Sequence, residues 1–145
     1  MNKSQTIAIL VLVASVLVAS TLALLTIQWS MRGTGSIKGV GLGVYWDPQC
    51  TDATSSLEFG QLEPGSSKNF ALYIRNEGNT LLTLNIVSEN WDPANAADYM
   101  TLTWNREGQQ IDPDEIMGCT ITLSVSPNIQ GISSFSLDII ISGTG

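Results

Sequence analysis

Residues 70–86 read Phe70-Ala71-Leu72-Tyr73-Ile74-Arg75-Asn76-Glu77-Gly78-Asn79-Thr80-Leu81-Leu82-Thr83-Leu84-Asn85-Ile86. Phe70, Leu72 and Ile74 alternate with Ala71, Tyr73 and Arg75, a period of two that sends successive side chains to opposite faces of a strand. Asn76, Glu77, Gly78 and Asn79 form a turn cluster, because Asn and Gly enter positive φ at little cost. Leu82, Leu84 and Ile86 then resume the alternation, so the stretch predicts a β-hairpin.

The same period recurs on both sides. Upstream, Val40, Leu42, Val44 and Trp46 alternate with Gly39, Gly41, Gly43 and Tyr45, and a short strand is expected at Leu57–Phe59. Downstream, Met100, Leu102 and Trp104 form a strand closed by a turn at Asn105–Gly108. Cys119, Ile121, Leu123 and Val125 form another, ended by Pro127. Phe135, Leu137, Ile139 and Ile141 form the last, set against Ser134, Ser136 and Asp138. No helical period appears after Ile27, although residues 93–98 suit a short helical turn. The expectation is an all-β domain over residues 39–145, a seven-stranded immunoglobulin-like β-sandwich. Its glycine-lined first strand either packs tightly in its own sandwich or is lent to a neighbouring subunit.

A different pattern precedes it. Ile7 to Ile27 is an uncharged run without Gly or Pro. At about 1.5 Å per residue it is long enough to cross the ~30 Å hydrocarbon core of a bilayer. Trp29 follows, where an amphipathic ring suits the interface, and Arg32 reaches headgroup depth. The chain therefore divides into a tail (1–6), a transmembrane helix (7–29), a Gly-rich linker (30–38) and the sandwich (39–145). Flanking charge is nearly balanced, with Lys3 before the run and Arg32 and Lys38 after it. The short tail points to a signal anchor, which leaves the helix single-pass in the cell membrane and the domain outside. Ala14, Ala19 and Ala23 also offer small residues for a signal-peptide cut, which would give a secreted module. Ser15, Ala19 and Ala23 share one helix face and suit helix self-association.

Composition narrows the function. The formal charge is −7, with 13 acidic residues against 6 basic ones. Such a chain is a poor binder of nucleic acid. It contains no histidine, which removes the commonest general base and metal ligand. Ser66 and Ser67 adjoin Lys68 at a turn, without the buried lysine a serine–lysine dyad needs. No phosphate-binding glycine loop is present, so no enzyme activity and no cofactor are expected.

Three groups remain as candidates. Cys50 and Cys119, the only cysteines, are expected to form a disulfide outside the cell or to leave Cys119 as a buried thiol. Asp112, Asp114 and Glu115 cluster around Pro113 as a weak calcium candidate that lacks the twelve-residue loop spacing. Trp46-Asp47-Pro48 and Trp91-Asp92-Pro93 repeat one triplet. Each reads as a strand end with Trp closing the core edge, or as one of two exposed indoles on a binding surface.

The run Gly60, Leu62, Pro64, Gly65, Ser66, followed by an alternating strand and then Asn76, Gly78 and Asn79, resembles the surface β-sandwich domains of prokaryotes, above all archaeal ones. The resemblance covers roughly Val40 to Ser142. It implies an anchored sandwich, an adhesin or a surface-filament subunit, and carries over no catalytic residue. Lys3, Ser4, Gln5 and Thr6 before the apolar run resemble an archaeal prepilin start, with Ser4 departing from the usual glycine or alanine. The expected function is a non-catalytic, membrane-anchored extracytoplasmic protein with a structural or binding role at the cell surface. A pilin-like or strand-sharing filament subunit is the alternative. The expected partners are the lipid bilayer and a second copy, met through the helix or the first strand; the sequence names no ligand.

Overall fold

A computed structural model describes residues 30–145. The expected tail and helix, with Ile7, Ile27, Trp29 and the Ser15, Ala19, Ala23 face, lie outside the described residues. Among the described residues no helix is long and apolar enough to cross a membrane.

The described chain is all-β and forms two sheets. Its strands are β1 (Met31–Val40), β2 (Leu42–Tyr45), β3 (Ser56–Leu62), β4 (Ser67–Asn76), β5 (Leu82–Asp92), β6 (Met100–Trp104), β7 (Gln110–Ile111), β8 (Ile116–Val125) and β9 (Ser134–Thr144). A 3-10 turn spans Ala94–Asp98, within the segment whose sequence suits a short helical turn. One sheet runs β3-β1-β9-β5-β7 and the other β2-β4-β8-β6.

Alternation decides which side chains meet between the sheets. Leu72 and Ile74 of β4 and Ile121 and Leu123 of β8 face Leu84 of β5 and Ile139 and Ile141 of β9, all essentially without exposure. Each contributes roughly 1.5–3 kcal/mol by leaving water. The polar phases of the same strands face solvent.

The structure corrects the sequence reading in three places. Residues 30–38 are no linker, because Met31–Val40 is a full strand paired on both edges, antiparallel to β3 and parallel to β9. Its glycines pack instead of bending. A Cβ on Gly33 would enter the ring of Phe135, so the missing side chain is what lets that ring lie under the strand. The alternating run from Gly39 to Trp46 is not one strand either. Gly41, at φ 77°, turns the chain out of β1 and into β2 in the opposite sheet.

Finally, the stretch from Phe70 to Ile86 is an arch between sheets and not a hairpin. β4 lies between β2 and β8, while β5 lies between β9 and β7. A period of two shows that a segment is a strand but not which neighbour it takes. With β1 and the two-residue β7 added, nine strands stand among the described residues where seven are expected.

The parallel pairing of β1 with β9 also gives the domain two distinct ends. Arg32 sits beside Ser134 and Val40 beside Ser142, so residue 30 lies at one end and residue 145 at the other. The turns at Glu63–Ser66 and 126–133 share the end of residue 30.

Candidate functional site

The two Trp-Asp-Pro triplets stand at opposite ends of one aromatic ladder. Trp46 lies 6.2 Å from Phe70, Phe70 5.4 Å from Phe59, Phe59 5.8 Å from Phe135, and Phe135 6.4 Å from Trp91, centroid to centroid. Phe59 and Phe135 are buried, and Trp91 packs against the core. Edge-to-face and offset ring pairs of this kind add stability beyond their buried area. Trp46 differs, being 38% exposed. The two indoles do not share a surface, since three phenylalanine rings separate them.

Asp47 organises the loop after Trp46. Its carboxylate accepts the Thr51 N–H at 3.0 Å, the Thr51 hydroxyl at 2.8 Å and the Asp52 N–H at 2.7 Å. Partial burial works against the charge, but these bonds outweigh it and hold the carboxyl below its usual range. The loop then folds back along the outer edge of β2, with Trp46 N–H donating to Asp52 O and Thr54 N–H to Val44 O.

The expected Cys50–Cys119 bridge is not formed, and both thiols are free. Cys119 points into the core from β8 opposite Leu72, and burial pushes it up to about 11. Cys50 sits in the loop at φ 56°, in the electrostatic reach of Arg75, Asp47 and Glu77. Arg75 is out of phase with buried Ile74, so Cys50 belongs to the outer side of the sheet whose inner side holds Cys119. Sequence spacing carries no information on that difference of face.

Asp112, Asp114 and Glu115 do not converge on a cation site. Asp114 accepts from Arg75 Nη2 at 3.1 Å, and Glu115 Oε2 accepts the Asp112 N–H at 2.7 Å. Among the described residues no three Asp, Glu, Cys or His groups are placed to hold a metal ion. The serine–lysine trio is equally occupied otherwise. Ser66 Oγ donates to Glu63 O at 2.6 Å and Ser67 Oγ to Ser124 Oγ at 3.2 Å, and neither engages Lys68.

On the outer face of the other sheet, Ser36 Oγ and Asn90 Nδ2 both donate to the Asp138 carboxylate, at 2.5 and 2.8 Å. Those bonds, from β1 and β5 onto β9, keep the carboxyl below its ordinary value despite a small opposing cost of burial.

Two shallow clefts flank β3 near residue 30. One, of about 480 Å³, is lined by Gln61, Leu62, Glu63, Ser67 and Lys68. The other, of about 550 Å³, is lined by Arg32, Thr34, Glu58, Gly60 and Gln61.

No model of a known family matches the chain, and no curated protein is similar to it.

The sequence reading missed the first cleft. Its signal lies in Lys68, which shares the inward phase of Phe70, Leu72 and Ile74. A charge on the inward phase marks a place where the sandwich is open.

Proposed function

We propose that the chain is a non-catalytic, membrane-anchored protein whose immunoglobulin-like sandwich stands on the outer side of the membrane and acts by binding or by forming part of a surface layer. The observation that carries this reading is a spacing. The uncharged run ends at Ile27, and β1 begins at Met31. Only residues 28–30 separate a segment long enough to cross a bilayer from a strand fixed between two others.

Further support comes from the two ends of the domain. An anchor joined at residue 30 holds that end toward the lipid and directs the turn at 77–81 and the loop at 112–115 outward. The immunoglobulin-like reading draws on the two facing sheets and on the pairing of the first strand with the last. The non-catalytic reading draws on the absence of histidine and on serine hydroxyls spent on Glu63 and Ser124.

The test is the N-terminal residue of the mature protein together with its fractionation. Met1 in a membrane pellet that resists salt and alkaline washing is the expected result. Gln5 in sheared filaments identifies a pilin-like subunit, and a start beyond residue 20 in the medium identifies a secreted module. Either of the last two overturns the anchor.

A further inference from the structure

β4 is longer than the strand that covers it. It runs from Ser67 to Asn76, and β8 pairs with it from Ser67 to Arg75. On its other edge β2 pairs only with residues 73–76, because Trp46 leaves the sheet to begin the Asp47 loop. Among the described residues, the edge of β4 from Ser67 to Leu72 has no strand beside it. Exposure follows the vacancy. From Leu72 onward β4 alternates between buried and half-buried, whereas Ser67, Lys68, Asn69 and Ala71 are all exposed.

Backbone N–H and C=O groups on such an edge are left to water, and they template the addition of another strand. The slot has defined walls. The cleft of about 480 Å³ opens at its Ser67–Lys68 end, with Gln61 and Leu62 of β3 on the far side. Trp46, 38% exposed and tilted against Phe70, closes the end where β2 departs. Lys68 stands at the opposite end, its Nζ 5.9 Å from the Phe70 ring centre, and among the described residues no carboxylate forms an ion pair with it. Glu63, at the rim, lies on the turn beyond Ser66.

We infer that the free edge of β4 from Ser67 to Leu72 is a strand-acceptor site for an extended segment of a partner polypeptide. Main-chain bonds to β4 give such a segment its affinity, and the side chains that alternate inward, toward Lys68 and toward Trp46 and Phe70, give its specificity. Lys68 selects an acidic residue and opposes a basic one or an unmatched apolar strand. Two positions along, where side chains again point inward, the open face of Trp46 and Phe70 selects an apolar residue. The partner motif is therefore an acidic residue, any residue, then an apolar one, in an extended segment of up to about six residues. This rests on the binding role proposed above but not on the membrane anchor.

The experiment uses the full chain in detergent micelles and fluorescein-labelled heptapeptides Thr-Glu-Thr-X-Thr-Val-Thr, with X as Val, Ile, Leu or Phe. Each is paired with an analogue carrying Lys for Glu. Fluorescence anisotropy is expected to show at least one Glu peptide binding at least tenfold tighter than its Lys analogue. Lys68→Glu, an exposed change that leaves the core untouched, is expected to reverse that preference. Hydrogen exchange at residues 67–72 is expected to slow with the bound peptide. Binding of no peptide, an unchanged preference in K68E, or unaltered exchange at residues 67–72 overturns the proposal. A dimer without peptide that K68E dissolves also overturns it, by giving the slot to a second copy. Peptide binding by a chain that fractionates as a secreted protein removes the anchor and leaves the slot standing.

Discussion

Asn76 Nδ2 donates to Ile111 O at 3.1 Å, tying the end of β4 in one sheet to β7 in the other. The same amide donates to Thr80 O at 2.7 Å, and its Oδ1 accepts the Gly78 N–H at 3.0 Å. Asn76 is the one polar residue among the described residues that is wholly enclosed. Its three bonds use most of what a carboxamide offers. They also fix the arch that carries the chain from sheet to sheet. Asn76→Leu keeps the branched skeleton but strands both carbonyls and the Gly78 N–H, so it is expected to cost about 2–4 kcal/mol. Urea denaturation of the full chain in micelles, compared with wild type, measures this.

Acid stability is expected to depend on Asp138. The bonds from Ser36 and Asn90 hold its carboxyl below the usual range, so its unfolded pKa is the higher of the two. The stabilisation is therefore present above the unfolded value near 3.9 and is lost as pH falls through the folded one. Asp47, lowered through its loop bonds, adds in the same direction. Thermal melts from pH 7 down to pH 3 are expected to show a fall in Tm below about pH 4, and Asp138→Asn is expected to flatten part of it.

The two thiols are expected to differ sharply in reactivity. Burial raises both thiols, but Cys119 is enclosed in the core and pushed up to about 11, whereas Cys50 is half-buried in a surface loop that a reagent reaches. A disulfide reagent at pH 8 is expected to modify Cys50 in the native protein and Cys119 only after unfolding, because the thiolate is the reacting species. A reductant is expected to leave Tm unchanged. Rapid modification of both thiols in the native state contradicts this placement.

Along the aromatic ladder, cost is expected to follow enclosure. Phe59 touches both Phe70 and Phe135 and is almost without exposure. Phe59→Ala is expected to lose about 3–5 kcal/mol, and Trp46→Ala far less. Chemical denaturation gives the ordering.

Gly33→Ala sets a new methyl against the Phe135 ring, where β1 and β9 are in register. The cost is expected near 1–3 kcal/mol, the usual range for overpacking. A double change with Phe135→Leu, which makes room, is expected to recover part of it in the same denaturation assay.

What the sequence made legible was the strands whose inward positions carry large apolar residues. Phe70, Leu72 and Ile74, or Phe135, Leu137 and Ile139, announce themselves because burial demands bulk at every second position. β1 escaped because its inward phase is Met31, Gly33, Gly35 and Ile37, where rings from other strands fill the space that side chains usually fill. Its outward phase, Arg32, Thr34, Ser36 and Lys38, kept the polar half of the alternation in view. Neighbour choice was beyond reach for a different reason. The turn cluster after Asn76 suits a hairpin and an arch alike, and only the anchoring of Asn76 on Ile111 separates them. The strand-acceptor edge was hidden likewise, since it depends on how far β2 runs beside β4.

The side-by-side course of the first and last strands governs how this domain meets mechanical load. A pull between residue 30 and residue 145 draws β1 and β9 past each other lengthwise. From Arg32 with Ser134 to Val40 with Ser142, their hydrogen bonds then bear the force in shear and together, where a hairpin pulled from its open end peels one rung at a time. Load applied between the two poles of the domain is therefore resisted by the whole length of this seam at once.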